Sequence, residues 1–117
     1  MIRFVFSLAL IFTAQSVMAC DYPTRVLVPN GNTATKEEMV QGQRGVKQYV
    51  AEMEVYLACI IEEEKTARDE MGAMEADLEQ EREDLLNRKY NAAVDEMERL
   101  AAQFNSEVQA YKAKEEG

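Results

Sequence analysis

Residues 61–84, IEEEKTARDEMGAMEADLEQERED, decide the fold of this chain. The stretch has no proline, a single glycine (Gly72) and mostly charged side chains. On either side lies a long segment of helix-forming residues with apolar positions three and four apart. Upstream, Met39, Val46, Val50, Met53, Leu57 and Ile60 make one seam, with Tyr49, Tyr56 and Ile61 on its flanks. Downstream, Leu86, Tyr90, Ala93, Met97, Leu100, Phe104, Val108 and Tyr111 make a second. Both stripes are wide enough to face a core.

Two architectures compete. An unbroken helix over residues 36–114 is about 120 Å long and has to dimerise along its length. The absence of proline favours it, and so do Ala67, Met71, Met74, Leu78 and Leu85, which carry the first heptad phase onward until it slips at Leu86. A fold-back at Gly72 instead yields two arms of similar length whose seams satisfy each other within one chain. The run EQERED (residues 79–84) is a poor dimer seam but suits an exposed first helical turn. The expected fold class is all-α, an antiparallel coiled-coil-like hairpin over residues 36–117 with its break near 70–76. One long helix in a dimer is the alternative.

The first helix has a legible start. Thr35-Lys36-Glu37-Glu38 matches a capping box, in which the Thr35 hydroxyl accepts from the Glu38 amide and the Glu38 carboxylate reaches back. Ahead of it, residues 20–35 read as an extended arm, since CDYPTRVLVPNGNTA holds two prolines, one glycine and two asparagines. Val26-Leu27-Val28 is β-prone with no strand to pair with, so it is expected to lie across a helix. The arm also bears on the two cysteines, Cys20 and Cys59. Cys59 stands about 36 Å up the first helix, and the arm spans up to about 50 Å when extended. It therefore reaches back to Cys59, and a Cys20–Cys59 disulfide is expected. Closing a loop of about 40 residues contributes roughly 3–4 kcal/mol in the chain-entropy model, a large term for so small a helical pair.

Residues 1–19 have the features of a cleaved signal peptide: Arg3, the apolar run FVFSLALIF (residues 4–12), and Val17-Met18-Ala19 with short residues at −3 and −1. That run is too short for a stable membrane anchor, and a periplasmic location follows. Cys20 at the +1 position admits a second outcome, lipid attachment. Met18 is bulkier than lipoprotein processing favours, and a lipid would leave Cys59 unpaired. The chain has 22 acidic and 13 basic residues, a net charge of −9, and cleavage removes only the basic Arg3. Such acidity disfavours nucleic acid and anionic lipid, and leaves at most a preference for basic partners.

No catalytic, cofactor-binding or metal-binding constellation is legible. The chain has no histidine, so the commonest general base and metal ligand is missing. Glu62-Glu63-Glu64 raises rather than lowers the pKa of a nearby Cys59 thiol, and these carboxylates, with Glu81, Glu83 and Asp84, read as solvated helix faces. No calcium loop of the form D-x-[DN]-x-[DN]-G occurs. Gly42 and Gly45 precede no Gly-Lys-Ser/Thr and are expected to permit close packing.

The segments YLACI (residues 56–60), ATKEEM (34–39) and NAAVDEME (91–98), with QFN and AYKA, resemble an uncharacterised family of small exported α-helical proteins of Gram-negative bacteria. The resemblance covers most of the chain beyond the signal segment. It implies a proline-containing turn between the helices, where this chain has Met71-Gly72-Ala73-Met74. It implies the compartment and the architecture, and no activity. The expectation is a non-enzymatic exported protein that acts by protein–protein interaction, self-association or envelope scaffolding, without cofactor. A periplasmic chaperone-like or stress-response binding module, or an envelope lipoprotein anchored at Cys20, is the alternative.

Overall fold

In the computed structural model, residues 19–117 are described; the expected signal segment, residues 1–19, lies outside them except for Ala19. Two helices, α1 (Lys36–Met71) and α2 (Ala76–Glu116), pack against each other, and no strand occurs among the described residues. Helix α1 begins at the capping box. Thr35 Oγ1 accepts from the Glu38 amide at 3.2 Å, and Glu38 Oε2 accepts from the Thr35 amide at 2.8 Å. Such a cap contributes about 1 kcal/mol.

The helix stops at Gly72, where φ is +70° and ψ −144°, the one positive φ among the described residues. A Cβ there would meet nothing within 4 Å, so glycine is needed for its dihedral rather than for space. The Gly72 amide donates to the Arg68 carbonyl at 3.1 Å and closes the last turn. Residues 72–75 reverse the chain, and α2 opens with Asp77 and Glu79 at its electropositive end.

The helices run antiparallel, as their cross-contacts show. Arg82 meets Glu64 near the turn, and at the open end Lys36 and Met39 share one hollow with Val108 and Tyr111. A third layer, the arm, lies along both. Cys20 is bonded to Cys59 of α1 with the Cα atoms 5.7 Å apart. From there the arm runs back toward Thr35. Val26 and Val28 turn inward onto the core while Leu27 is 95 % exposed, an alternation of an extended segment. The Pro29 ring covers Gly42, where a Cβ would stand 2.7 Å from it and 3.3 Å from the Phe104 ring. Arm, α1 and α2 thus meet at a residue without a side chain. The disulfide uses the thiol that a lipid would require.

Most of the expected seam is buried. Met39, Val46, Met53, Leu57, Ile60, Ala93, Leu100 and Phe104 form the core with Ala34, and Val50, Leu86, Met97, Val108 and Tyr111 pack against it half-buried. Six positions depart from the simple periodicity. Tyr49, placed on a flank by periodicity, is 1 % exposed and among the largest fully buried side chains, with Met53 and Leu100. The arm covers that side of α1, so the buried stripe is wider than a two-helix seam requires. Tyr90 lies at the rim, more than a third exposed, where an amphipathic ring leaves its hydroxyl in water. Ile61, Met71, Leu78 and Leu85 are exposed as well, so the heptad phase across residues 61–85 does not become a core.

Close approach of the arm to α2 is tightest at Gly31, where an added Cβ would overlap the Glu107 carbonyl. At Gly45 a Cβ would only touch Val26, at 3.8 Å. Urea unfolding should therefore separate two identical substitutions. Gly31→Ala is expected to cost about 2 kcal/mol through backbone displacement, and Gly45→Ala to add about 0.5–1 kcal/mol through helix propensity. The reverse order would contradict this arm placement.

Candidate functional site

The arm is held by polar contacts at each stage of its path. At its start, Tyr22 packs edge-on against Tyr56 with ring centroids 5.0 Å apart. Next, Arg25 bridges to α2, its Nη2 donating to Gln103 Oε1 at 2.9 Å and its Nε lying 3.4 Å from Glu96 Oε1. At its far end the Gly31 amide donates to Glu107 Oε2 at 2.7 Å. The Lys114 ammonium donates to the Ala34 carbonyl at 2.8 Å while standing 4.8 Å from the centre of the Tyr111 ring. Beneath this layer sits the Tyr49 hydroxyl, without a hydrogen-bond partner among the described residues. Burial, then the nearby Tyr22 and Glu96, push that phenol up to about 12, with Arg25 opposing. This junction is built to hold a strap, and Arg25, Gln103, Glu107 and Lys114 are spent on that.

The other end of the hairpin has a different character. Beyond Cys59 the arm is absent and the helices are tied by charge. Glu64 accepts two hydrogen bonds from Arg82, at 2.9 Å each, and one from Arg68 at 3.1 Å. Arg68 also faces Glu79 of α2 at 3.6 Å. Hydrogen bonding from Arg82, helped by Arg68 and opposed by burial, holds the Glu64 carboxyl below its ordinary value of 4.5. Around this clamp, residues 61–84 carry 11 of the 22 acidic residues and only three of the 13 basic ones. Nearly all of the chain's net charge is therefore at the tip, and Ile61, Met71, Leu78 and Leu85 are exposed among the carboxylates.

The residues singled out from sequence thus divide between two regions. Cys20, Cys59, Thr35 and Glu38 fix the arm and the start of α1, and the seam residues Met39 to Ile60 and Leu86 to Tyr111 fill or border the core. Sequence periodicity missed Arg25, Glu96 and Glu64, whose partners are distant in the chain. The one trio of metal-capable side chains gathered among the described residues is Cys20, Cys59 and Glu63. Its two sulfurs are bonded to each other and offer no thiolate. The hollow between the helices near the tip, about 170 Å³, is lined by Glu63, Glu64, Arg82 and Lys89 among others, and Glu64 is paired there with Arg82.

The clamp sets a pH dependence with a definite sign. Because the folded state lowers the Glu64 pKa, its contribution is complete above the unfolded value and is lost as pH falls through the folded one. Glu64→Gln should lower the urea midpoint at pH 7, and the gap to the wild type should close progressively below about pH 4.5. A gap constant with pH would show that the carboxylate charge is not what Arg82 recognises. Comparison of the chain with protein-family models, with curated proteins and with solved structures finds no match.

Proposed function

We propose that this chain is a non-enzymatic periplasmic protein, exported through residues 1–19 as a cleaved signal peptide, that acts by protein–protein interaction or envelope scaffolding. The surface it offers is the acidic tip of the hairpin. One observation carries this: eleven acidic and three basic residues lie within residues 61–84, beside four exposed apolar side chains. A field of that sign attracts a cationic partner and repels nucleic acid and anionic lipid. The exposed Ile61, Met71, Leu78 and Leu85 supply the apolar contacts that long-range charge cannot.

Export is supported by the Cys20–Cys59 bond, which needs an oxidising compartment. The non-enzymatic reading is supported by Glu64. A general acid at neutral pH has its pKa raised by burial, whereas the half-buried glutamate of the tip is lowered by two arginines. No helix among the described residues is long and apolar enough to cross a membrane. A chaperone-like binding module is the second reading, favoured by the same exposed apolar side chains.

These are separated by photo-crosslinking in cells from position 78, with a second protein in which Glu79, Glu81, Glu83 and Asp84 are replaced by Gln or Asn. A docking tip should capture one defined basic protein, lose it on charge removal and lose it at high salt. Capture of many unfolded clients, unchanged by charge removal, would replace docking with the chaperone reading. Absence of any capture from position 78 would overturn both.

A further inference from the structure

We infer that Glu63 guards the disulfide latch of the arm against thiols. The carboxylate Oε2 of Glu63 lies 3.1 Å from Cys20 Sγ. That sulfur is bonded to Cys59 and carries no proton, so the contact is a negative oxygen set against a divalent sulfur rather than a hydrogen bond. The placement follows from the helix. Glu63 is four residues beyond Cys59, which stacks its side chain on the same face, and the arm brings Cys20 to that face. Both cysteines are half-buried and Glu63 is exposed, so a small reductant has access to the bond.

Either route of reduction brings a second negative charge to this carboxylate. A dithiol reductant attacks as its thiolate. If it strikes Cys20 Sγ, the S–S bond breaks, the electron pair leaves on Cys59, and the incoming negative sulfur has approached Glu63. If it strikes Cys59 Sγ, the pair leaves on Cys20, and the new thiolate forms about 3 Å from the Glu63 oxygen. The reductant's second thiol then resolves the mixed disulfide, becoming a cyclic disulfide, and the two protein thiolates take up two protons. Unit charges three to four ångströms apart in a water-like medium repel enough to slow such a step about five- to tenfold. The guard keeps the arm fastened over Gly42, Gly45 and Tyr49.

The test is the rate of reduction of the intact protein by dithiothreitol at fixed pH, followed by the mass gained on alkylation of the freed thiols. Glu63→Gln is expected to react about five- to tenfold faster than the wild type at low salt, with the ratio shrinking at high salt. Glu70→Gln removes the same charge about 16 Å along α1 from Cys59 and should leave the rate within twofold. A neutral phosphine keeps one unrepelled route, attack at Cys20 Sγ, where the cationic phosphonium forms beside Glu63 and the electron pair leaves on Cys59; it should distinguish the wild type from Glu63→Gln by less than twofold. Equal dithiothreitol rates for both proteins would overturn the inference. Equal acceleration by thiol and phosphine would overturn it too, since it would mean that the substitution merely loosens the arm.

Discussion

The bond between Cys20 and Cys59 fastens one end of an arm whose other end runs into the capping box at Thr35, and the span between them lies along both helices. Two helices joined by a four-residue turn have little core, because each offers one narrow apolar stripe to the other. The arm changes that balance. It covers the side of α1 that carries Tyr49, seats Pro29 on Gly42, and adds Arg25, Gly31 and Ala34 as points of attachment to α2. Each fully buried large side chain contributes about 1.5–3 kcal/mol, and Tyr49, Met53 and Leu100 reach that state beneath or beside this layer. A disulfide that closes the arm's loop limits the unfolded chain and so favours the same arrangement from the other side of the equilibrium.

Beyond Cys59 the physics changes from burial to charge. Glu64 and its two arginines hold the helices together where no apolar layer does, and the surplus carboxylates point outward. A stapled base and a charged tip are therefore parts of one design: the covered, covalently fastened end supplies stability, and the other end is left to present its side chains. Exposed ion pairs add little stability on their own. The bidentate Arg82–Glu64 pair, partly buried and joined by Arg68, is better placed than a typical surface pair to keep the tip closed.

The sequence made the local features legible and left the arm's reach across both helices obscure. The capping box was visible because its two partners are three residues apart, and the Gly72 break because it lies between two seams with no other glycine nearby. The disulfide followed from compartment, cysteine parity and chain length. Tyr49 was underestimated because periodicity describes one helix against one neighbour, whereas this position has two. Gly31 carried no signal at all: its requirement is set by the Glu107 carbonyl, 76 residues away. Arg82 and Glu64 were equally hidden in a stretch where charges abound and only folding selects the pair. The same limit applies to Glu63, one of three adjacent glutamates, which only the folded arm brings against a sulfur.

Urea unfolding of the oxidised protein and of the protein reduced under anaerobic conditions, read by helical circular dichroism, tests the dependence on the arm most directly. Reduction should lower the unfolding free energy by roughly 3–4 kcal/mol. Backbone amides of α1 between Met39 and Ile60 should lose hydrogen-exchange protection more than those near the Glu64 clamp. Equal stability of the two forms, with α1 protection unchanged, would contradict that dependence.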